Sequence, residues 1–204
     1  YCFAAMEFVD GDSMTEVIER IGIEGMLDWR EVYRVGVHIG RALREAYNRK
    51  IIHRNVTPAN ILRRHKDKSC LLGDLMLAKA LEGSLAQQVT QPGQLVGEVA
   101  YMSPERTRSQ ARADGRSDIY SLGATVYALL MGRPPFEADS LPRLITKIRE
   151  EEPVKQRQHQ SGIPEAFEDL VLQMLAKRPE DRPQTANELL TDLTRIGCDQ
   201  GVEM

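Results

Sequence analysis

The sequence has little sulfur to work with. Three cysteines, Cys2, Cys70 and Cys198, are spread over 204 residues without a CxxC pair or metal-ligand spacing among histidines. That pattern excludes a disulfide framework and fits reduced thiols in a cytoplasmic setting. There is also little net charge. The 27 basic and 30 acidic side chains balance to −3, so nothing draws the chain toward nucleic acid. Long apolar runs are missing too: Leu122 to Met131, the longest, is far too short to span a bilayer. No signal-peptide pattern, internal repeat or low-complexity tract is present, and the chain opens on Tyr1 rather than methionine. The expectation is a piece of something longer, with an N-terminal region or membrane anchor outside it. What remains is the composition of one ordinary globular domain, 42% hydrophobic and 28% charged.

Along the chain, Tyr1 to Val9 reads as a strand ending at a turn pair, Asp10-Gly11, with a short helix from Ser13 to Arg20. Asp28-Trp-Arg-Glu31 has the form of a capping box. It opens a long helix with Val32, Val35, Ile39, Leu43 and Ala46 on one face. From Ile51 to Leu77 short apolar runs alternate with polar loops, which predicts small hairpins. Gly73 to Pro104 lacks periodicity and reads as a long loop that either has a function or is mobile. Ile119 to Leu130 is apolar nearly all round, the mark of a helix buried at a domain's centre. Helices at about 140–150 and 164–177 follow, and Thr185-Ala-Asn-Glu188 caps the last one.

Several short motifs then stand in order. His53-Arg-Asn-Val-Thr-Pro-Ala-Asn60 resembles the H-R-D-x-x-x-x-N catalytic loop of protein kinases. Gly73-Asp74-Leu75-Met76 stands at the D-F-G position, and Tyr101-Met-Ser-Pro-Glu105 resembles the A-P-E end of the activation segment. Ser117-Asp-Ile-Tyr-Ser-Leu-Gly123 is similar to the start of the lobe's buried central helix, and Arg182 matches the arginine that pairs with the A-P-E glutamate. Any one match is weak, but the ordered set covers essentially the whole chain. The chain therefore resembles the C-terminal lobe of a bacterial-type serine/threonine protein kinase.

The resemblance implies an α+β, protein-kinase-like fold: a mainly helical C-lobe with small β-hairpins and no N-lobe. It divides the chain into a hinge-strand remnant (1–10), the lobe (11–197) and a C-terminal tail (198–204). It implies ATP and Mg²⁺ as cofactors once an N-lobe is present. Asp74 and Asn60 would hold the metal. Met6, at the gatekeeper position, with Glu7, Val9 and Leu62, would receive the nucleotide base. Arg54 would read a phosphate on the activation segment, with Thr90 and Ser84 as acceptors, or else bond only nearby backbone or carboxylates. His53, Asp118, Glu105 and Arg182 are expected to be architectural, the last two as a buried ion pair.

The departures lie in the proton-handling cluster. Asn55 stands where the family has its catalytic aspartate, Thr57 where it has a lysine, and Glu98 where it has a threonine. An amide does not accept a proton at neutral pH. Two readings stay open at this point: the carboxylate has moved to Glu98, bonded by Asn55 and Thr57, or the cluster has relaxed. Met76 in place of glycine removes positive-φ freedom from the start of the activation segment. The functional expectation is a divergent protein kinase impaired in catalysis, or alternatively a pseudokinase acting as a binding or scaffold module. The partners implied are a missing N-lobe or another protein on the open cleft face, and a protein substrate or scaffold partner. Nucleic acid is not among them, and no segment is expected to insert in a membrane.

Overall fold

A computed structural model describes residues 7–24, 27–74, 98–108 and 114–202. Among them are six α-helices and one small sheet. The helices are α1 (Met14–Glu24), α2 (Trp29–Asn48), α3 (Gly115–Met131), α4 (Leu141–Glu150), α5 (Glu165–Met174) and α6 (Ala186–Gln200). The sheet is antiparallel in the order β1 (Gly11–Ser13), β2 (Ile61–Arg64), β3 (Cys70–Leu72). No helix of the described residues is long and apolar enough to cross a membrane.

The centre is α3, in which every residue from Ser117 to Leu130 is buried. Asp114 starts the helix by accepting the Arg116 N–H at 2.9 Å. Gly132 ends it at φ 70°, a conformation that favours glycine, with its N–H returned to the Ala128 carbonyl at 2.8 Å. Around α3 pack α1, α2 and α5, and α6 lies against α2 and α5. Trp29, Tyr33 and Phe167 form an aromatic junction with ring centroids 5.9 to 6.3 Å apart. Contact with α5 is close at Gly123, where an added Cβ would stand 2.7 Å from the Met174 Cβ. Gly123→Ala is therefore expected to destabilise the lobe by about 1–3 kcal/mol through overpacking. Urea denaturation would read this as a lower midpoint at unchanged slope.

Several local expectations are corrected. Asp10-Gly11 is not a turn closing a strand. Gly11 begins β1, and its backbone passes so near β2 that a Cβ would lie 2.0 Å from the Arg63 carbonyl oxygen, so glycine serves close approach. Residues 7–10 form no strand, although the Asp10 carbonyl accepts the His65 N–H at 3.0 Å. Asp28 caps α2 through the Arg30 N–H at 2.7 Å, and no reciprocal Glu31 bond closes a box; the Glu31 carboxylate instead faces Arg63 at 3.4 Å. A full box does close at α1, where Ser13 and Glu16 exchange backbone bonds of 3.3 and 2.7 Å. That S-x-x-E pattern was present in the sequence and carries α1 on to Glu24, beyond the expected Arg20. At α6, Thr185 caps the Glu188 N–H at 3.1 Å, while Glu188 reaches back one residue further, to the Gln184 N–H at 2.6 Å. Helix α6 runs to Gln200 and Val202 packs in the core, so residues 198–202 contribute to the lobe.

Candidate functional site

Between α2 and β2 the chain alternates anchors with half-exposed residues. His53 and Val56 to Pro58 are buried, leaving Arg54 and Asn55 half-exposed between them. The backbone groups of residues 53–55 find partners in this loop, as buried polar groups require. Asp118, rising from the first turn of α3, accepts the N–H groups of His53 at 2.8 Å and Arg54 at 2.7 Å. The Asn55 N–H goes to His53 Nδ1 at 3.3 Å, and the Asn55 carbonyl takes Asn60 Nδ2 at 2.9 Å. Arg106 closes the set by donating to the Arg54 carbonyl. The other ring nitrogen of His53 donates to the Gly73 carbonyl at 2.8 Å, which selects the Nε2–H tautomer and ties the loop to the end of β3. Holding this geometry places Arg54 at φ 63°, unusual for a residue with a side chain.

Asp118 is shut away from water. Burial pushes its carboxyl up, against the opposing pull of the two backbone N–H groups and of His53 and Arg106. Tyr47 adds a third bond, with its hydroxyl 3.2 Å from Asp118 Oδ2 and 2.6 Å from the Gly115 carbonyl. Sequence reasoning missed both Tyr47 and Arg106. Tyr47 lies four residues after Leu43 on the apolar stripe of α2, a position where a polar-tipped ring ends buried. Arg106 carries no comparable signal.

The hairpin register brings the two candidate metal ligands together. Ile61 pairs with Leu72, and the Gly73 N–H continues the ladder to the Asn60 carbonyl at 2.7 Å, so Asp74 follows beside Asn60. Asp74 is held at φ 61°. Its carboxylate has no hydrogen-bond or ion-pair partner among the described residues. Asn60 spends its amide N–H on Asn55 and leaves Oδ1 without one. One carboxylate and one amide oxygen, both unspent and on neighbouring stretches of backbone, are of the donor type a hard divalent cation such as Mg²⁺ takes. No cluster of three or more His, Cys, Asp or Glu side chains that could hold a metal occurs among the described residues.

The nucleotide-side residues are more scattered. Leu62 is half-buried on β2 opposite Ser13, and Val9 is half-buried on the approach to β1. Glu7 is exposed and paired with Arg64 through its side chain. Met6, Leu75, Met76, Ser84 and Thr90 lie outside the described residues.

The idea of a relocated carboxylate does not hold in this geometry. Glu98 is exposed and makes no hydrogen bond to Asn55 or Thr57. The cause is its neighbours. Val99 and Ala100 are buried with Phe136, Leu144 and Ile148 in a second apolar cluster, and this turns Glu98 outward. The Thr57 hydroxyl is buried without a partner among the described residues. Position 55, position 57 and Glu98 therefore do not form one bonded cluster.

Below the loop, Glu105 and Arg182 meet in a two-pronged pair at 2.9 and 2.8 Å. Burial alone would raise the Glu105 carboxyl, but bonds and charge from Arg182, with the Ser117 hydroxyl at 2.7 Å, bring it down to about 2. The other Arg182 donors go to the carbonyls of Ala176, Arg116 and Lys177 at 2.8 to 3.1 Å, and its guanidinium lies 4.9 Å from the Tyr120 ring centre.

This layout of loop, hairpin and buried helix is that of a protein kinase C-lobe, and comparison with known proteins agrees. The sequence matches the protein kinase domain over residues 1–193, and the chain belongs to that family. It is 34% identical over 201 residues to the serine/threonine-protein kinase PknB of Mycobacterium leprae, covering 98% of this chain and 31% of that protein. It is 30% identical over 200 residues to the probable serine/threonine-protein kinase CPE1738 of Clostridium perfringens, covering 98% of this chain and 28% of the relative. Over 200 residues it is 34% identical to the serine/threonine-protein kinase pkn3 of Myxococcus xanthus, covering 95% and 36%. The chain thus spans about a third of the length of these curated relatives.

Proposed function

We propose that this lobe belongs to a serine/threonine protein kinase domain that binds Mg·ATP and is impaired in phosphoryl transfer at the proton-accepting step. The observation that carries the reading is an asymmetry. Asn60 Oδ1 and the Asp74 carboxylate, at the open end of the β2–β3 hairpin, are unspent among the described residues, while no carboxylate stands at position 55 and Glu98 is exposed. A divalent cation held by Asp74 and Asn60 would supply positive charge against the charge that develops on the transferred phosphoryl group. The residues of this chain would orient: Asp74 and Asn60 fix the metal, Asp118 and Arg106 hold the loop, and Leu62 and Val9 line the base-binding side. Asn55 can hydrogen-bond a substrate hydroxyl but not take its proton.

The test is calorimetric titration of the full-length protein with ATP, with and without Mg²⁺. Binding should strengthen with Mg²⁺, and Asp74→Ala should remove that dependence while leaving the metal-free affinity within about twofold. Equal ATP affinity with and without Mg²⁺ would remove the reading. The pseudokinase alternative, a nucleotide-responsive scaffold in signalling, is favoured by the outward Glu98. It predicts Mg·ATP binding with no transfer to any protein hydroxyl.

A further inference from the structure

A cavity of about 600 Å³ lies between the end of α2 and the first turns of α3 and α6. None of the candidate catalytic, nucleotide or metal residues lines it. Its floor is apolar: Tyr47, the half-buried Ile51 and Ile52, and Ala186. The Tyr47 ring packs on Gly115, where an added Cβ would stand 2.9 Å from two ring atoms. The rim is charged in one direction. Arg44 and Lys50 are exposed, line the cavity, and have no side-chain partner among the described residues. The third cation, Arg116, is already held by Asp114 at 2.7 Å and Gln184 at 3.1 Å, and this cancels the one acidic group on the wall.

We propose that this cavity is a binding site for a small organic anion with an apolar body, seated on Tyr47, Ile51 and Ile52 with its head group between Arg44 and Lys50. Volume and lining suit such a molecule. A cavity of this size accepts a one- or two-ring body, the apolar floor covers it, and two unspent cations on the rim offer its head group a charge partner. The ammonium and guanidinium are free to rotate toward a carboxylate, sulfonate or phosphate. A neutral ligand would leave both without partners. A bare anion would leave the apolar floor uncovered.

The probe is 8-anilinonaphthalene-1-sulfonate, titrated by fluorescence against the full-length protein with its nucleotide site filled by Mg·ATP. Its uncharged relative N-phenyl-1-naphthylamine is titrated in parallel. A single saturable sulfonate site is expected. Arg44→Glu with Lys50→Glu should weaken it roughly tenfold or more, because two favourable charge contacts become repulsive, while the neutral probe changes little. Both side chains are exposed, so the double variant should keep the wild-type melting temperature. Asn187→Trp, an exposed substitution on the rim, should block both probes. Octanoate should displace the sulfonate at lower concentration than inorganic phosphate. Unchanged sulfonate binding in the charge-reversed protein overturns the proposal, as does binding at many weak sites. Equal displacement by phosphate and octanoate would reduce the site to a simple anion contact and overturn it as well.

Discussion

Replacing Asn55 by aspartate in the full-length protein is expected to raise phosphoryl transfer to a protein hydroxyl by about 10²- to 10⁴-fold, the usual contribution of a positioned acid or base. The geometry makes this a clean exchange. Every bond that shapes the loop at position 55 belongs to its backbone: the N–H goes to His53 Nδ1 and the carbonyl takes Asn60 Nδ2. The side chain contributes none of that scaffolding, so an aspartate of the same shape inherits a prepared position. Thr57→Lys in the same protein should add to the gain by bringing positive charge toward the transferred group. Its buried hydroxyl has no partner to lose among the described residues. Glu98→Gln is the matching control and should alter the rate less than about twofold, because a carboxylate that reaches no reacting atom contributes little. The measurement is steady-state transfer from labelled ATP to a general protein acceptor. No gain from Asn55→Asp would mean that the defect lies elsewhere in the cleft. A large loss from Glu98→Gln would mean that the turn at Val99 and Ala100 swings inward during the reaction.

The contrast between Asn55 and Glu98 also marks where sequence reading ran out. The fold was legible because its signals are periodic or covalently local. The apolar stripe from Val32 to Ala46, the all-round apolar helix before Gly132 and the cap at Thr185 each follow from neighbouring residues. Asn60 and Asp74 were picked out by their places in the two kinase-like motifs, and the β2–β3 register then sets where their backbones lie. Glu98 was not legible in this way. Its direction depends on whether Val99 and Ala100 find a pocket, and that pocket is made by Phe136, Leu144 and Ile148, far along the chain. Gly11 failed for a similar reason. Asp-Gly is a turn signal in isolation, and only the approach of Arg63 shows that the glycine serves a close strand contact. Tyr47 and Arg106 bond to carbonyls and carboxylates brought in from 52 to 71 residues away. No local pattern encodes those partners.

Arg182→Met should be the most destabilising single change in the lobe, by about 3–5 kcal/mol, since it leaves a buried carboxylate without its counter-charge. The side chain is completely buried and that of Glu105 is 17% exposed. All five N–H donors of Arg182 are spent, two on Glu105 and the others on the carbonyls of Ala176, Arg116 and Lys177. Methionine fills much of the volume but returns none of these bonds. Lysine keeps the charge but not the planar fork, so Arg182→Lys should recover only part of the loss. For a chain of this size the methionine variant should melt roughly 6–20 °C lower. The pH dependence separates lost charge from lost packing. In the wild type the Glu105 carboxyl sits at about 2, below its ordinary 4.5, so its contribution is complete above 4.5 and fades as pH falls toward 2. In the methionine variant burial acts unopposed by Arg182 and the same carboxyl moves up. Protonation in mild acid then relieves the variant while it begins to weaken the wild type. The stability gap should accordingly be widest near pH 7 and narrow between pH 5 and pH 3, read by urea denaturation at each pH. A gap that stays constant across that range would assign the loss to packing around Tyr120 instead of to the ion pair.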